Sequence, residues 1–546
     1  MLIALSLTLL TGLADVDSSA ESIVSDGAAP QPNVLFVLTD DQDIYMDGAK
    51  HQPKIQKLLA EEGVTLVNQF VSTPVCCPSR GGMLTGRYIH NVPMTNNSIE
   101  GNCSGPAWNA GPEKQSAGVL MQGKGYMTAF AGKYLNRYGM PAAGGVSHVP
   151  PGWDEWLGLV GNSVYYNYTL SNNGVAEHHG DDYATDYLTD LLGNRTRAFL
   201  RHRWAPQAVD GRPFFAMVST PACHGPHEPA PQYAHAFTNS SFAAAVRTPN
   251  FGAATTPSGV GAHKHWLIEA EARQWHAEAR RREAFVDWEH VRRLETLLSV
   301  DDLVEALVLE LDSLKALAST FIFYTADHGY HLGQFGLLKD KRMPYEFDIR
   351  VPGYVRGPGL PKNVTSAVIA LSIDLLPTFL DVAGHPQHHH AGAPTIVDSP
   401  VLDGQSLLPL LKAGAKAPAS RSFLVEYHGE SAPPPSSGVC KDAWGPGLAC
   451  WQEGTEKLAP GPFAGGALCS CQDSTNNTYA CVRTLDAASD SIYCEFADTV
   501  HTIEYYDLRV DPWQMRNAAS ELPEAQREQL ASRLEQLRGC AGESCD

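Results

Sequence analysis

The densest chemistry in the chain lies at Val75-Cys76-Cys77-Pro78-Ser79-Arg80-Gly81-Gly82-Met83-Leu84-Thr85-Gly86-Arg87. A cysteine becomes a nucleophile where its surroundings stabilise the thiolate. Pro78 suits the first turn of a helix, where its missing N–H costs nothing. A helix from about Pro78 puts Cys76 just ahead of the N-terminus, where free N–H groups and the dipole favour an anion. Arg80 then offers a planar fork to a tetrahedral oxyanion. The simpler reading of the same residues is a buried cysteine pair before an ordinary helix.

The remaining candidates follow apolar runs. Residues 33–38 (NVLFVL) predict a strand buried on both faces, and the chain continues directly into Thr39-Asp40-Asp41-Gln42. Adjacent carboxylates repel unless a cation or donors lie between them, although one of them can instead cap a helix. Residues 320–325 (TFIFYT) run likewise into Ala326-Asp327-His328-Gly329, and the repetition points to a shared metal site. Two further runs lead to Gly132-Lys133 and, through Ser219-Thr220-Pro221, to His224. Open α/β sheets place ligands at the carboxyl ends of their strands, so four strands deliver all these groups to one crevice.

In that crevice Asp40, Asp41 and Asp327 are hard oxygen donors suited to Ca²⁺ or Mg²⁺. A cation there polarises the nucleophile and one substrate oxygen. Arg80, Lys133 and Lys341 balance charge on a transferring group with three equatorial oxygens. His224 or Lys341 supplies the proton that a leaving alcohol needs.

The elements around these groups read less clearly. Residues 264–298 are rich in Glu, Arg and Trp at helical spacing and predict an exposed amphipathic helix, with Ser299-Val300-Asp301-Asp302 capping a second helix to about Leu317. Lys264-His265-Trp266 either touches substrate or packs at a helix start. Residues 384–420 read as linker and loop, including His388-His389-His390, and Arg421 to Tyr427 as a strand opening a smaller C-terminal domain. The organisation expected is a signal peptide over 1–20, a catalytic domain over 31–383, the linker, and a disulfide-rich domain over 421–546.

Bulk properties narrow the class. The 546 residues carry a formal net charge of −20, which excludes the basic face of a nucleic-acid binder. The apolar run from Leu2 to Leu13 is too short for a membrane span and resembles a signal peptide, and no later segment is long enough to span a bilayer. Sequons at Asn96, Asn102, Asn167, Asn194, Asn239, Asn363 and Asn476 agree with a secreted glycoprotein. Eight cysteines (Cys440, Cys450, Cys469, Cys471, Cys481, Cys494, Cys540, Cys545) lie in the C-terminal part, an even set suited to disulfides. Cys77, Cys103 and Cys223 are an odd remainder beside Cys76, so at least one is expected to be free.

The run Cys76-x-Pro78-Ser79-Arg80, followed by Leu84-Thr85-Gly86-Arg87, resembles the signature of the formylglycine-dependent sulfatase family. The likeness extends through Gly132-Lys133-Tyr134-Leu135-Asn136, Asp327-His328-Gly329-Tyr330 and Tyr345 to Pro352. Within the family it is strongest toward the N-acetylglucosamine-6-sulfatases and the catalytic domain of the heparan endosulfatases. The resemblance implies an α/β, alkaline-phosphatase-like mixed sheet flanked by helices, with a smaller α+β C-terminal domain. It implies calcium held by Asp40, Asp41, Asp327, His328 and a formylglycine made from Cys76 by a formylglycine-generating enzyme in the secretory pathway. It also implies that a hydrated aldehyde attacks sulfur, with Arg80 and Lys133 holding nucleophile and sulfate and His224 and Lys341 near the leaving oxygen. The product would reside outside the cell or in a lysosome-like compartment. The expected substrate is a sulfated carbohydrate such as N-acetylglucosamine 6-sulfate; alternatives are an aryl sulfate, a phosphonate or phosphodiester, or no turnover in a calcium-stabilised glycoprotein. Two departures stand out: His328 occupies a position where many sulfatases have Asn, and Leu135 one where many have His.

Overall fold

A computed structural model describes residues 31–46, 48–203, 211–237, 244–253, 263–384, 400–414, 420–430, 448–453 and 468–546. The leader, the Asn239 sequon, the His388–His390 run, the Pro433–Pro435 run and Cys440 lie outside the described residues.

Ten strands form one large sheet: β1 (Asn33–Thr39), β2 (Val64–Phe70), β3 (Met127–Lys133), β4 (Glu155–Leu159), β5 (Thr169–Asn172), β6 (Val175–His178), β7 (Phe214–Ser219), β8 (Thr320–Ala326), β9 (Gly353–Arg356) and β10 (Val364–Leu371). Their order is β10-β2-β9-β8-β1-β7-β3-β4-β5-β6. The middle, β8-β1-β7-β3-β4, is parallel throughout, and β9 and β5, which run against it, make the sheet mixed.

The continuous apolar runs follow from burial on both faces. Val34, Phe36 and Leu38 enter one hydrophobic cluster with Phe215, Met217, Phe321 and Phe323. Leu35 and Val37 enter the opposite one with Ala216, Val218, Ile322 and Tyr324. Helix Leu375–Ala383 covers the first face, and helices Leu188–Arg203 and Ala279–Ser313 cover the second.

Helix Ala279–Ser313 corrects the expectation for residues 264–317. It is one 35-residue helix preceded by a separate helix, Trp266–Ala277. It is not a solvated face: Arg282, Glu289, His290, Arg293 and Glu295 are all buried. Arg282 pairs with Glu271, and Glu289 with His227 and Lys339. Residues 299–302 lie inside the helix, so they cap no second one. Asp301 instead accepts the backbone N–H groups of Lys54 (3.0 Å) and Ile55 (2.8 Å), capping the short helix Pro53–Ile55 from across the fold. Lys264 is buried among the rings of Phe335, Tyr345 and Tyr506, and His265 stacks on Phe496, so this triplet packs rather than faces substrate.

A smaller antiparallel sheet follows, with β11 (Arg421–Tyr427), β14 (Tyr479–Leu485), β15 (Asp490–Phe496) and β16 (Ile503–Asp507) in that order, beside the hairpin β12 (Leu448–Glu453) and β13 (Leu468–Ser474). Cys481–Cys494 bridges β14 to β15, and Cys540–Cys545 closes the chain end after helix Glu524–Arg538.

Candidate active site

Each group expected at a strand end is found there. Asp40 and Asp41 follow β1, Lys133 ends β3, His224 lies in the segment after β7, and Asp327 and His328 follow β8. These strands are neighbours in the order β8-β1-β7-β3 and run in parallel, so their carboxyl ends share one edge.

Helix Cys76–Thr85 brings the nucleophile candidate to that edge. It begins at Cys76 itself, two residues earlier than Pro78 suggested, with Val75 extended at its N-cap. Gly86 ends the helix in the left-handed region at φ 67°. The Cys77 N–H, an orphan of the first turn, donates to Asn97 Oδ1 at 2.8 Å. Cys77 is fixed in a disulfide with Cys103, while Cys76 and Cys223 are free and buried. The first turn therefore presents Cys76 alone.

Around the sulfur the charges alternate. His328 Nε2 lies 3.3 Å from Cys76 Sγ, and Asp40 Oδ1 lies 4.0 Å from it. Asp40 Oδ2 accepts from Lys133 Nζ at 2.6 Å and from Ser163. Asp41 Oδ1 accepts from Lys341 Nζ at 2.8 Å and lies 3.5 Å from His328 Nε2. Asp327 accepts from Arg80 Nε at 2.8 Å and from the N–H groups of Asp41 and His328. Arg80 Nη1 donates to the Lys133 carbonyl and to Ser219 Oγ, whereas its buried Nη2 has no hydrogen-bond partner among the described residues and stands 3.7 Å from Asp40 Oδ1.

Burial alone would drive these carboxyls neutral. For Asp40 that effect is outweighed by Lys133, His224 and Arg80, which hold its carboxyl well below the usual range. For Asp41 it is outweighed chiefly by Lys341, with the same direction. Burial also opposes ionisation of Cys76, yet Lys133 and Lys341 hold the thiol well below its ordinary value. Asp327 goes the other way: burial and the neighbouring Asp40 charge push it up to about 6. In His224 burial is outweighed by Asp41 and Asp40, which raise it. The site is thus a place where an anionic nucleophile and an anionic group can both be held.

Asp40, Asp41, Cys76 and His328 each offer a donor atom, and the four atoms lie within 4.8 Å of one another, all buried. His328 Nδ1 lies 2.9 Å from the Gly329 carbonyl, which can only accept, so Nε2 is the ring atom turned to the group; Asp327 and Cys76 outweigh burial and push this imidazole up to about 9, so a cation there would displace the Nε2 proton. Two carboxylates, an imidazole and the Cys76 sulfur, all buried, fit a divalent cation. Asp327 borders this group, with Oδ1 3.5 Å from His328 Nε2, but its two oxygens are already engaged by Arg80 and two N–H groups.

Residue patterns missed two contributors, Ser163 and Ser219. Ser219 ends β7, and Ser163 comes four residues after β4, the same strand-end rule that located the others. A lone serine after a strand carries no signal of its own.

A ten-stranded mixed sheet with a buried cysteine, a cation-sized donor group and three cationic side chains at one edge defines an α/β protein built to hold an anionic group beside a divalent cation. The family model described as Sulfatase matches residues 32–385, and the chain belongs to that family. It is 42% identical to the N-acetylglucosamine-6-sulfatase of Homo sapiens, over 94% of this chain and 86% of that protein. It is 41% identical to the extracellular sulfatase SULF-1 homolog of Drosophila melanogaster, over 73% of this chain and 33% of that one. Among solved structures, a protein in complex with its substrate D-glucosamine-2-N,6-O-disulfate superimposes with a TM-score of 0.63 at 22% identity, covering 92% of this chain and 97% of that one.

Proposed function

We propose that the enzyme removes the 6-O-sulfate of N-acetylglucosamine residues, using a formylglycine made from Cys76 by a formylglycine-generating enzyme, and Ca²⁺. The observation that carries the reading is the Cys76 sulfur at the start of a helix, touching His328 and flanked by Asp40, with Lys133, Arg80 and Lys341 around it. The 42% identity over nearly the whole chain to a protein of that named specificity supports the substrate.

Asp40, Asp41, His328 and position 76 would hold the cation, with Asp327 at its edge. When bound, the cation polarises the nucleophilic and sulfate oxygens. Position 76, as the hydrated aldehyde, supplies the hydroxyl that attacks sulfur and displaces the sugar oxygen; loss of the proton from its second hydroxyl then breaks the bond to the sulfate, which leaves, and restores the aldehyde. Arg80, through its Nη2, and Lys133 bind the equatorial oxygens as charge builds on them. Lys341 orients the bridging oxygen, and His224 passes a proton to the departing sugar oxygen. Charge in the site is local: the chain as a whole carries −20, so a sulfated sugar meets attraction only at this crevice.

We further propose passage through the secretory pathway to the cell exterior or a lysosome-like compartment, in keeping with bridges such as Cys77–Cys103, Cys481–Cys494 and Cys540–Cys545. Among the described residues no helix is long and apolar enough to cross a membrane.

The test is mass spectrometry of the Cys76 peptide from a secretory host, alongside turnover of N-acetylglucosamine 6-sulfate and of a small aryl sulfate. The expected result is the aldehyde at position 76, preference for the sugar, and loss of both activities in Cys76→Ala. Full activity in that variant overturns the nucleophile, and aryl turnover without sugar turnover overturns the substrate.

A further inference from the structure

The Asp40-Asp41 turn is gripped from behind by a network that strand-end reasoning does not contain. Asp41 sits in the left-handed region at φ 65°, an unusual place for a non-glycine residue. A carboxylate that reaches the site from such a backbone depends on what fixes its peptide groups. The Asp41 N–H donates to Asp327, which fixes one side. On the other, Arg293 Nη2 donates to the Asp41 carbonyl at 2.8 Å and stands 3.5 Å from Asp43 Oδ1.

Arg293 is itself held in place. Its guanidinium lies over the Tyr330 ring, 3.9 Å from the centroid. The Tyr330 hydroxyl donates to Glu289 Oε1 at 2.7 Å, and Glu289 stands one turn before Arg293 on helix Ala279–Ser313. His227 Nε2 lies 3.3 Å from Glu289, and its Nδ1 donates to the carbonyl of Cys223 at 2.9 Å. The Cys223 N–H returns to the Asp40 carbonyl at 2.6 Å. The loop closes on the turn it started from, and every side chain in it is buried.

We propose that Arg293 is a positioning residue: by resting on the Tyr330 ring while donating to the Asp41 carbonyl it fixes the left-handed turn that aims the Asp41 carboxylate at Lys341, His328 and Cys76. This rests on the reading of Asp41 as a calcium ligand. Lysine cannot replace it, because a point charge does not span both the carbonyl and the ring face as a planar fork does. Groups that orient metal ligands from behind change affinity by about 10–100-fold when removed.

The experiment titrates chelator against the calcium-loaded full-length enzyme, reading bound Ca²⁺ by elemental analysis and unfolding temperature in parallel. Arg293→Lys is expected to lose Ca²⁺ at about 10–100-fold higher free-calcium concentration than wild type, and to regain kcat when Ca²⁺ is restored in excess. Arg282→Lys, on the same helix but paired with Glu271 away from the turn, is expected to lower unfolding temperature without moving calcium affinity. Should Arg293→Lys fail to fold, Arg293→Gln carries the same measurement. Wild-type calcium affinity in a folded Arg293 variant overturns the positioning role alone. A wild-type enzyme with no chelator-sensitive calcium overturns the metal reading, and this proposal with it.

Discussion

Lys341 shows how one side chain can serve two neighbours. Its Nζ donates to Asp41 Oδ1 at 2.8 Å and lies 3.4 Å from Asp340, in a buried setting. Burial opposes its charge, but Asp41 and Cys76 outweigh burial and hold the amine well above its ordinary value. It therefore stays charged across the physiological range, which suits a group that binds and orients an oxygen more than one that cycles its proton freely. Lys341→Met is expected to lower kcat by about 10²–10³-fold, the scale of one lost electrostatic contact to the transition state. Steady-state kinetics on the sulfated sugar checks this, and a variant within about threefold of wild type would remove Lys341 from the site. At this scale most of the site was legible. Asp40, Asp41, Lys133 and Asp327-His328 each follow a run of apolar residues, and the rule that ligands gather at strand ends needs only the runs. Arg293 was not legible, because its function depends on which face of a long helix meets the β1 turn, and charge alone suggested solvent.

The long helix Ala279–Ser313 is the element where sequence pattern and structure part most. Charged residues at helical spacing normally mark an exposed face. Here Arg282 meets Glu271, Glu289 meets His227 and Lys339, and Arg293 meets the Asp41 carbonyl, so these three inward charges have partners supplied by other segments. Pairing between segments far apart in the chain leaves no local trace. The same holds for Asp301, whose helix-capping chemistry was recognised but whose target was not. Both its oxygens accept N–H groups from the start of helix Pro53–Ile55 rather than from its own helix. Asp301→Ala is expected to leave those two donors without partners and to destabilise the protein by about 1–3 kcal/mol. A urea unfolding series should show a lower midpoint with unchanged slope. A midpoint equal to wild type would mean that water replaces the carboxylate at no cost.

At the scale of the whole molecule, the small sheet and the large one share a core. Phe70, Val71, Val75 and Ile349 from the catalytic part pack in one cluster with Phe423, Tyr479, Tyr493 and Tyr506. The division at 384–420 is therefore proposed as a boundary of chain organisation, with the two parts stabilising each other. His90 is one rivet between them. Its Nδ1 lies 2.9 Å from Glu426 Oε1 on β11, and its Nε2 lies 2.9 Å from the Cys540 carbonyl at the chain end. Asp403 adds negative charge nearby, and Tyr88 stacks on the imidazole. A carboxylate and a carbonyl both accept, so both ring nitrogens donate only in the imidazolium. Burial opposes that charge, but Glu426 outweighs it and raises the His90 pKa above its ordinary value. A raised folded-state pKa means the imidazolium's stabilisation is fully present below the unfolded value of about 6.5 and fades as pH climbs through the folded value. His90→Gln is accordingly expected to cost about 1.5–3 kcal/mol at about pH 5, the worth of hydrogen bonds to a charged group, and much less at about pH 9. Urea midpoints for wild type and variant under the acidic and the alkaline condition measure the difference. A gap of equal size in both would show that His90 joins the two parts by packing alone, and a gap that widens toward alkaline pH would contradict the raised pKa outright.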